Sequence, residues 1–174
     1  VAAVEGHRWG PEWLPLRNLA MVALMARAGL RVSEVAALDV RDVELNDRSG
    51  WALVRRGKGL KERTVPLSLQ ARKKLWAYLQ IRPEGNGAAL FLTKSGHRIG
   101  PREIQRMVQS AAQRAGIARD VTPHVLRHTF ATRFLRQGND LATLQDILGH
   151  ANLSTTSRYL HPDAARMQEM VEGL

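Results

Sequence analysis

The chain has 174 residues, 44% of them hydrophobic, which suffices for one domain with its own core and excludes a disordered tail. It has no cysteine, so a disulfide framework and a thiolate metal site are excluded and an intracellular, cytoplasmic setting is expected. Lys and Arg number 26 against 16 acids, a formal charge of +10 carried mostly by arginine, whose planar fork matches phosphate oxygens; a polyanion is the expected partner unless the charge is merely solubilising.

Residues 1–14, with Gly6, Gly10 and Pro11, read as a linker, and the domain proper is expected over residues 15–174. The opening VAAVEGHRWG lacks the charged and apolar segments of a secretory signal, and no apolar run nears the roughly 20 residues of a membrane span, so no membrane partner is expected. In PLRNLAMVALMARAG, residues Leu16, Leu19, Val22, Ala23 and Ala26 recur at helical spacing and Gly29 supplies a stop. RVSEVAALDV follows as a short second helix, with Arg31 at the junction. The period then changes: WALVRR and ERTVPLS read as strands, and the glycines of GKGLK between them predict a hairpin with Lys58 at or just before its tip.

LQARKKLWAYLQIR, stopped by Pro83, and PREIQRMVQSAAQRAG, opened by Pro101 and closed by Gly116, return to helical spacing, with ALFLT between them as a short strand. Thr122 and Pro123 open PHVLRHTFATRFLRQ, which Gly138 ends, and Asp140 opens LATLQDILG, which Gly149 ends. Asn152 or Ser154 can cap STTSRYL, and Pro162 separates it from a tail helix, DAARMQEMVE. The expected class is mainly α with a small antiparallel β-sheet, an α+β domain.

His124 and Arg127, three apart on one helix, project from one face and can address a single substrate group, although such a pair taken alone is ordinarily structural. His124 and His128 have the i, i+4 spacing of a zinc clamp, but the protease pattern needs a glutamate directly after the first histidine, where Val125 stands. With no third ligand evident, no metal and no other cofactor is expected. LATLQDILGHANLSTTSRYL also fits two short helices joined by a glycine turn, the helix-turn-helix of a non-catalytic DNA-binding regulator, with Arg158 and Tyr159 as contacts.

AGLRVSEVAAL, GKGLKERTVPL, TPHVLRHTFAT, LQDILGH and SRYLH stand in this order from about Leu16 to Pro162. Together they resemble the tyrosine recombinase family, the phage integrases and chromosome-dimer resolvases. The resemblance implies the tyrosine recombinase catalytic-domain fold. It also implies a site-specific recombinase that cleaves and rejoins double-stranded DNA at a recombination site through a 3′-phosphotyrosyl link, as a homotetramer on synapsed DNA. DNA relaxation of the type IB topoisomerase kind is the enzymatic alternative. Position by position, Arg31 matches the first catalytic arginine, Lys58 the hairpin lysine, His124 and Arg127 the histidine and second arginine, His150 the later histidine, and Tyr159 the nucleophile. Glu34 resembles a supporting acid that holds Arg31, and His128 a frequent non-catalytic companion. Family members carry an N-terminal DNA-binding domain, which would precede the linker, and their tails dock on a neighbouring subunit.

These residue types suit that chemistry. Attack on a phosphodiester builds negative charge on the non-bridging oxygens, and Arg31 and Arg127 can each meet it with charge-assisted hydrogen bonds while staying protonated. A tyrosine hydroxyl, with a pKa near about 10, needs a base or a cationic site, and His124 is the candidate base. The 5′ oxygen leaves with a proton that Lys58 can deliver, and His150 can add a further bond to the phosphate. Lys61 shares the loop with Lys58, but the resemblance favours the lysine inside GKG. Arg55, Arg56, Arg102 and Arg106 read as DNA-backbone contacts or plain surface.

Overall fold

A computed structural model describes residues 11–55, 62–85, 87–149 and 164–172, the first three of the last segment by backbone alone. The central element is helix α1, Trp13–Arg27, which packs against four other helices. Its buried face runs through Arg17, Ala20, Met21, Leu24 and Met25, not through the expected set: Leu19 is 47% exposed, Leu16 and Val22 are only partly buried, and Ala23 alone of those five lies in the core. The helix is apolar nearly all round, so periodicity does not choose a face, and the helices packed on it do.

Gly29 ends α1 at φ 69°, a left-handed value that glycine adopts without cost. A Cβ there would also stand 2.5 Å from Phe130 Cδ1 and 2.8 Å from Leu148 Cδ2, so glycine is required by contact as well as by φ. That approach seats the Gly29 carbonyl beside two later helices.

Helix α2, Val32–Ala37, starts from Arg31 as its N-cap; Glu34 accepts from the Arg31 backbone N–H at 2.8 Å, which closes the first turn. A 3₁₀ turn at Val40–Asp42 leads to β1, Val43–Leu45, then β2, Gly50–Val54, and β3, Arg63–Pro66. The three strands form an antiparallel sheet in the order β1-β2-β3, with Ala52 opposite Val43 and Val65, and Val54 opposite Arg63. The expected pair is therefore β2 and β3. Strand β1 was not expected, because three residues are too short to show alternation.

The strand expected at ALFLT does not form: Asp39 bridges Ala89 and Leu92 bridges Arg98, each as an isolated pair. Leu90, Phe91 and Leu92 are apolar because the core holds them, not because a sheet does.

The remaining helices follow their capping signals. They are α3, Leu69–Gln80, capped by Ser68; α4, Pro101–Arg114, with Pro101 at its first turn; and α5, Pro123–Arg136. Thr122 Oγ1 accepts from Val125 N at 3.3 Å at the start of α5, and Asp140 Oδ1 accepts from Thr143 N at 2.8 Å at the start of α6, Leu141–Leu148. Helix α7, Ala164–Glu172, is the expected tail helix, and it packs against β3. Gln168 Nε2 donates to Leu67 O at 3.0 Å, Glu172 accepts from Leu69 N at 2.9 Å and pairs with Arg72, and Met167 and Val171 are buried. No helix among the described residues is long and apolar enough to cross a membrane.

Candidate active site

The site grows from the first turn of α2. The Glu34 carboxylate, 9% exposed, has four lone-pair positions, and all four are taken. Oε1 accepts from Arg31 Nη1 at 3.0 Å and Arg63 Nη1 at 2.9 Å; Oε2 accepts from the Arg31 backbone at 2.8 Å and Arg63 Nη2 at 2.9 Å. Arg127 reaches the same neighbourhood from α5, with Nη1 at 3.9 Å from Glu34 Oε2 and hydrogen-bonded to the Gly29 carbonyl. Three arginines from α2, β3 and α5 thus surround one carboxylate, leaving a local excess of positive charge.

The C-terminus of α6 completes the arrangement. A helix leaves its last four carbonyls without partners and concentrates partial negative charge there. Gly149, left-handed at φ 64°, turns its N–H back on Gln145 O at 2.8 Å and Asp146 O at 3.1 Å. The arginines take the other two: Arg63 Nε donates to Ile147 O at 2.8 Å, while Leu148 O accepts from Arg127 Nη2 at 2.9 Å and Arg31 Nη1 at 3.3 Å. Arg31 and Arg127, far apart in sequence, therefore meet on one carbonyl oxygen. Arg127 is buried, whereas the Arg31 side chain is 38% exposed, and its Nε and Nη2 take no partner among the described residues.

His124 stands in the first turn of α5, exposed, one turn before Arg127, and His128, directly after Arg127, is also exposed. Among the described residues no hydrogen bond joins His124 to either arginine, and no group of three or more His, Asp or Glu side chains could hold a metal ion. Lys58, His150 and Tyr159, with Lys61, Arg56 and the expected STTSRYL helix, lie outside the described residues. The structure does bear on which tyrosine is available. Tyr78, the other of the two in the chain, is fully buried, donates to Leu90 O at 3.1 Å, and is held by burial above the ordinary phenol pKa. A buried, hydrogen-bonded phenol of that kind makes no nucleophile.

Arg63 is the residue that sequence reasoning missed. In β3 it pairs with Val54 and shares a face with Val65, and both of those side chains are buried. An arginine at a core-facing strand position requires an acid partner, and that was the available signal. Arg55, expected to be surface or a DNA contact, is exposed and pairs with Asp39 at 3.6 Å and with Asp42. Arg102 and Arg106 are exposed on α4.

Burial alone would push the Glu34 carboxyl up in pKa, but hydrogen bonds from Arg63 and Arg31, with the charge of Arg63, outweigh it and hold the group below the usual carboxylate value. Its folded value being the lower one, Glu34 contributes stability that is complete above the unfolded carboxylate pKa and is lost as pH falls through the folded value. Glu34→Gln is expected to cost about 3 kcal/mol at neutral pH by leaving Arg63 unpaired. It should also flatten the acid limb of stability. Urea unfolding at pH 7 and pH 4 checks this: a variant that loses as much stability on acidification as the parent would show that Glu34 is not the linked group.

The Phage integrase family model matches residues 7–166 of the chain. Tyrosine recombinase XerC of Haemophilus ducreyi is 42% identical over 160 residues, covering 91% of this chain and 52% of that protein. XerC of Chromobacterium violaceum is 39% identical over 174 residues, covering 99% of this chain and 57% of that protein. The chain thus spans about half the length of the curated relatives it matches. Among solved structures, the crystal structure of XerA recombinase superposes with TM-score 0.75 at 39% identity, over 87% of this chain and 56% of that one. XerH site-specific recombinase bound to its difH substrate in a pre-cleavage complex gives 0.70 at 25% identity, over 92% and 44%. The helix-turn-helix alternative loses its footing here, because the end of α6 is spent on the three arginines and the relatives are recombinases. The described fold, the convergent arginines and the matched family model agree: this chain belongs to the phage integrase family, the tyrosine recombinases.

Proposed function

We propose that the chain from α1 onward forms the catalytic domain of a site-specific DNA recombinase, joined through the residues before Trp13 to a DNA-binding domain. The relatives' additional length supports that division. The observation that carries the reading is the meeting of Arg31 and Arg127 on the Leu148 carbonyl, with Glu34 between them. Two fixed cations around one point suit a phosphodiester whose non-bridging oxygens gain charge in the transition state. The exposed half of the Arg31 guanidinium is the hand offered to DNA.

In the proposed reaction the Tyr159 oxygen attacks phosphorus as His124 takes its proton. The phosphorus bond to the 5′ oxygen breaks, and Lys58 protonates the leaving oxygen. His150, next after the glycine that ends α6, adds a donor to the phosphate. The 3′-phosphotyrosyl link conserves the bond energy, so a 5′ hydroxyl of another strand reverses the step without a nucleotide cofactor. Exchange between two duplexes calls for a homotetramer on synapsed DNA. The XerH structure bound to difH supports a duplex recombination site as the partner.

The test uses the full-length protein and a duplex site selected by it from a random-sequence library, nicked near the cleavage position and incubated with a metal chelator. A covalent protein-DNA adduct resistant to denaturation is the expected product. No adduct on any selected site would sink the reading. Relaxation of supercoiled plasmids lacking the site, at an equal rate, would favour a topoisomerase instead.

A further inference from the structure

We infer that Arg63 is a positioning residue for the phosphate site: by neutralising Glu34 it leaves Arg31 and Arg127 their positive charge for the scissile phosphate. The inference rests on the recombinase reading above and concerns a residue that reading does not use.

Arg63 is built for a carboxylate and not for DNA. Its side chain is 11% exposed against 38% for Arg31. Nη1 and Nη2 make two parallel bonds of 2.9 Å to Glu34, the bidentate fork that only arginine provides, and Nε donates to Ile147 O at 2.8 Å. Every nitrogen of the guanidinium is thereby engaged within the protein. The residue also opens β3, directly after the connection that carries Lys58 in the sequence, so it pins the base of that connection to α2 and α6 at once.

The consequence follows from charge balance. Glu34 lies 3.0 Å from Arg31 and 3.9 Å from Arg127. Unmatched, its carboxylate would cancel one of the two charges meant for the phosphate. It would also compete for their N–H groups, and Arg127 stands close enough to turn into the vacancy. With Arg63 in place the carboxylate is saturated, and it acts on Arg31 as a fixed hinge instead of a rival ligand. A purely structural pair would also suffer more from loss of one partner than of both, but its cleavage would change only as far as folding does. Charge matching predicts slower cleavage by fully folded Arg63→Gln, relieved in the double variant because removing Glu34 removes the competitor.

The experiment measures single-turnover cleavage of a saturating suicide substrate by the full-length protein carrying Arg63→Gln, Glu34→Gln, both together, or Arg63→Lys. Arg63→Gln should slow cleavage about 100-fold, the scale of one lost transition-state donor. Measured well below the melting temperature of each variant, the double variant should recover at least about tenfold over Arg63→Gln, a coupling in rate that loss of stability alone does not give. Arg63→Lys, which keeps the charge without the fork, should fall between wild type and Arg63→Gln. Cleavage by Arg63→Gln within about threefold of wild type, or a double variant no faster than Arg63→Gln, overturns the inference. If Arg63→Gln does not fold, as judged by its melting, the double variant and Arg63→Lys decide: both within about tenfold of wild type supports charge matching, and either slower by more than about 100-fold overturns it. Absence of any adduct from the wild-type protein removes the recombinase reading and this inference with it. Wild-type adduct formation with an indifferent Arg63→Gln removes only the inference.

Discussion

A full-length protein carrying Tyr159→Phe is expected to bind its recombination site with unchanged affinity and to form no covalent adduct, a loss of at least about 10⁴ in cleavage rate. The change deletes one oxygen and keeps the ring, so packing and DNA contacts should survive. The chain offers no substitute: its other tyrosine, Tyr78, is fully buried with its hydroxyl on the Leu90 carbonyl and its pKa raised by burial. Serine or threonine would form a different, alkali-labile phosphoester, which mass spectrometry of the DNA-linked peptide distinguishes. Tyr78→Phe is the matching control and should keep adduct formation while losing about 1 kcal/mol of stability with its hydrogen bond. Adduct formation by Tyr159→Phe at even one hundredth of the parent rate would place the nucleophile elsewhere and break the assignment that joins SRYLH to the upstream motifs.

What could be read from sequence and what could not divides along a physical line. Local signals carried far: Thr122, Pro123 and Asp140 start their helices, Gly29 and Gly149 end theirs, and the switch to alternation locates β2 and β3. Arg31, Glu34 and Arg127 were legible because the motifs around them have a recognisable order, and the structure brings all three together. Choices made by tertiary packing were not legible. The face of α1 was misread because an apolar helix surrounded by others has no unique stripe, and ALFLT imitated a strand because burial and β-pairing both select apolar residues. Backbone groups were also invisible. The carbonyls of Gly29, Ile147 and Leu148 organise the arginines, yet no residue type announces them. Arg63 fell between the two cases, hidden in a strand whose only clue was an arginine on the face that Val65 buries.

Arg127 joins stability to chemistry, and its substitutions should separate the two. Arg127→Ala removes a buried donor to Gly29 O and to Leu148 O, the second bond being 2.9 Å. Each of the two buried carbonyls that loses this donor costs about 1–3 kcal/mol, so a total loss of about 2–6 kcal/mol is expected by urea unfolding. Cleavage should fall by at least about 10³, because the proposed transition-state charge partner is lost and the acceptor it shares with Arg31 is released. Arg127→Lys tests the division. An ammonium can satisfy one of the two carbonyls and keep the charge, so stability should recover by about half, whereas the rate should stay about 100-fold below wild type for want of the planar fork. The Leu148 carbonyl explains why the two losses need not move together: it orients Arg31 and Arg127 by geometry, and a lysine restores charge without restoring that shared anchor. If Arg127→Lys regained stability and rate in step, the guanidinium would be serving only to hold α5 against α6, and Arg31 would have to carry the phosphate alone.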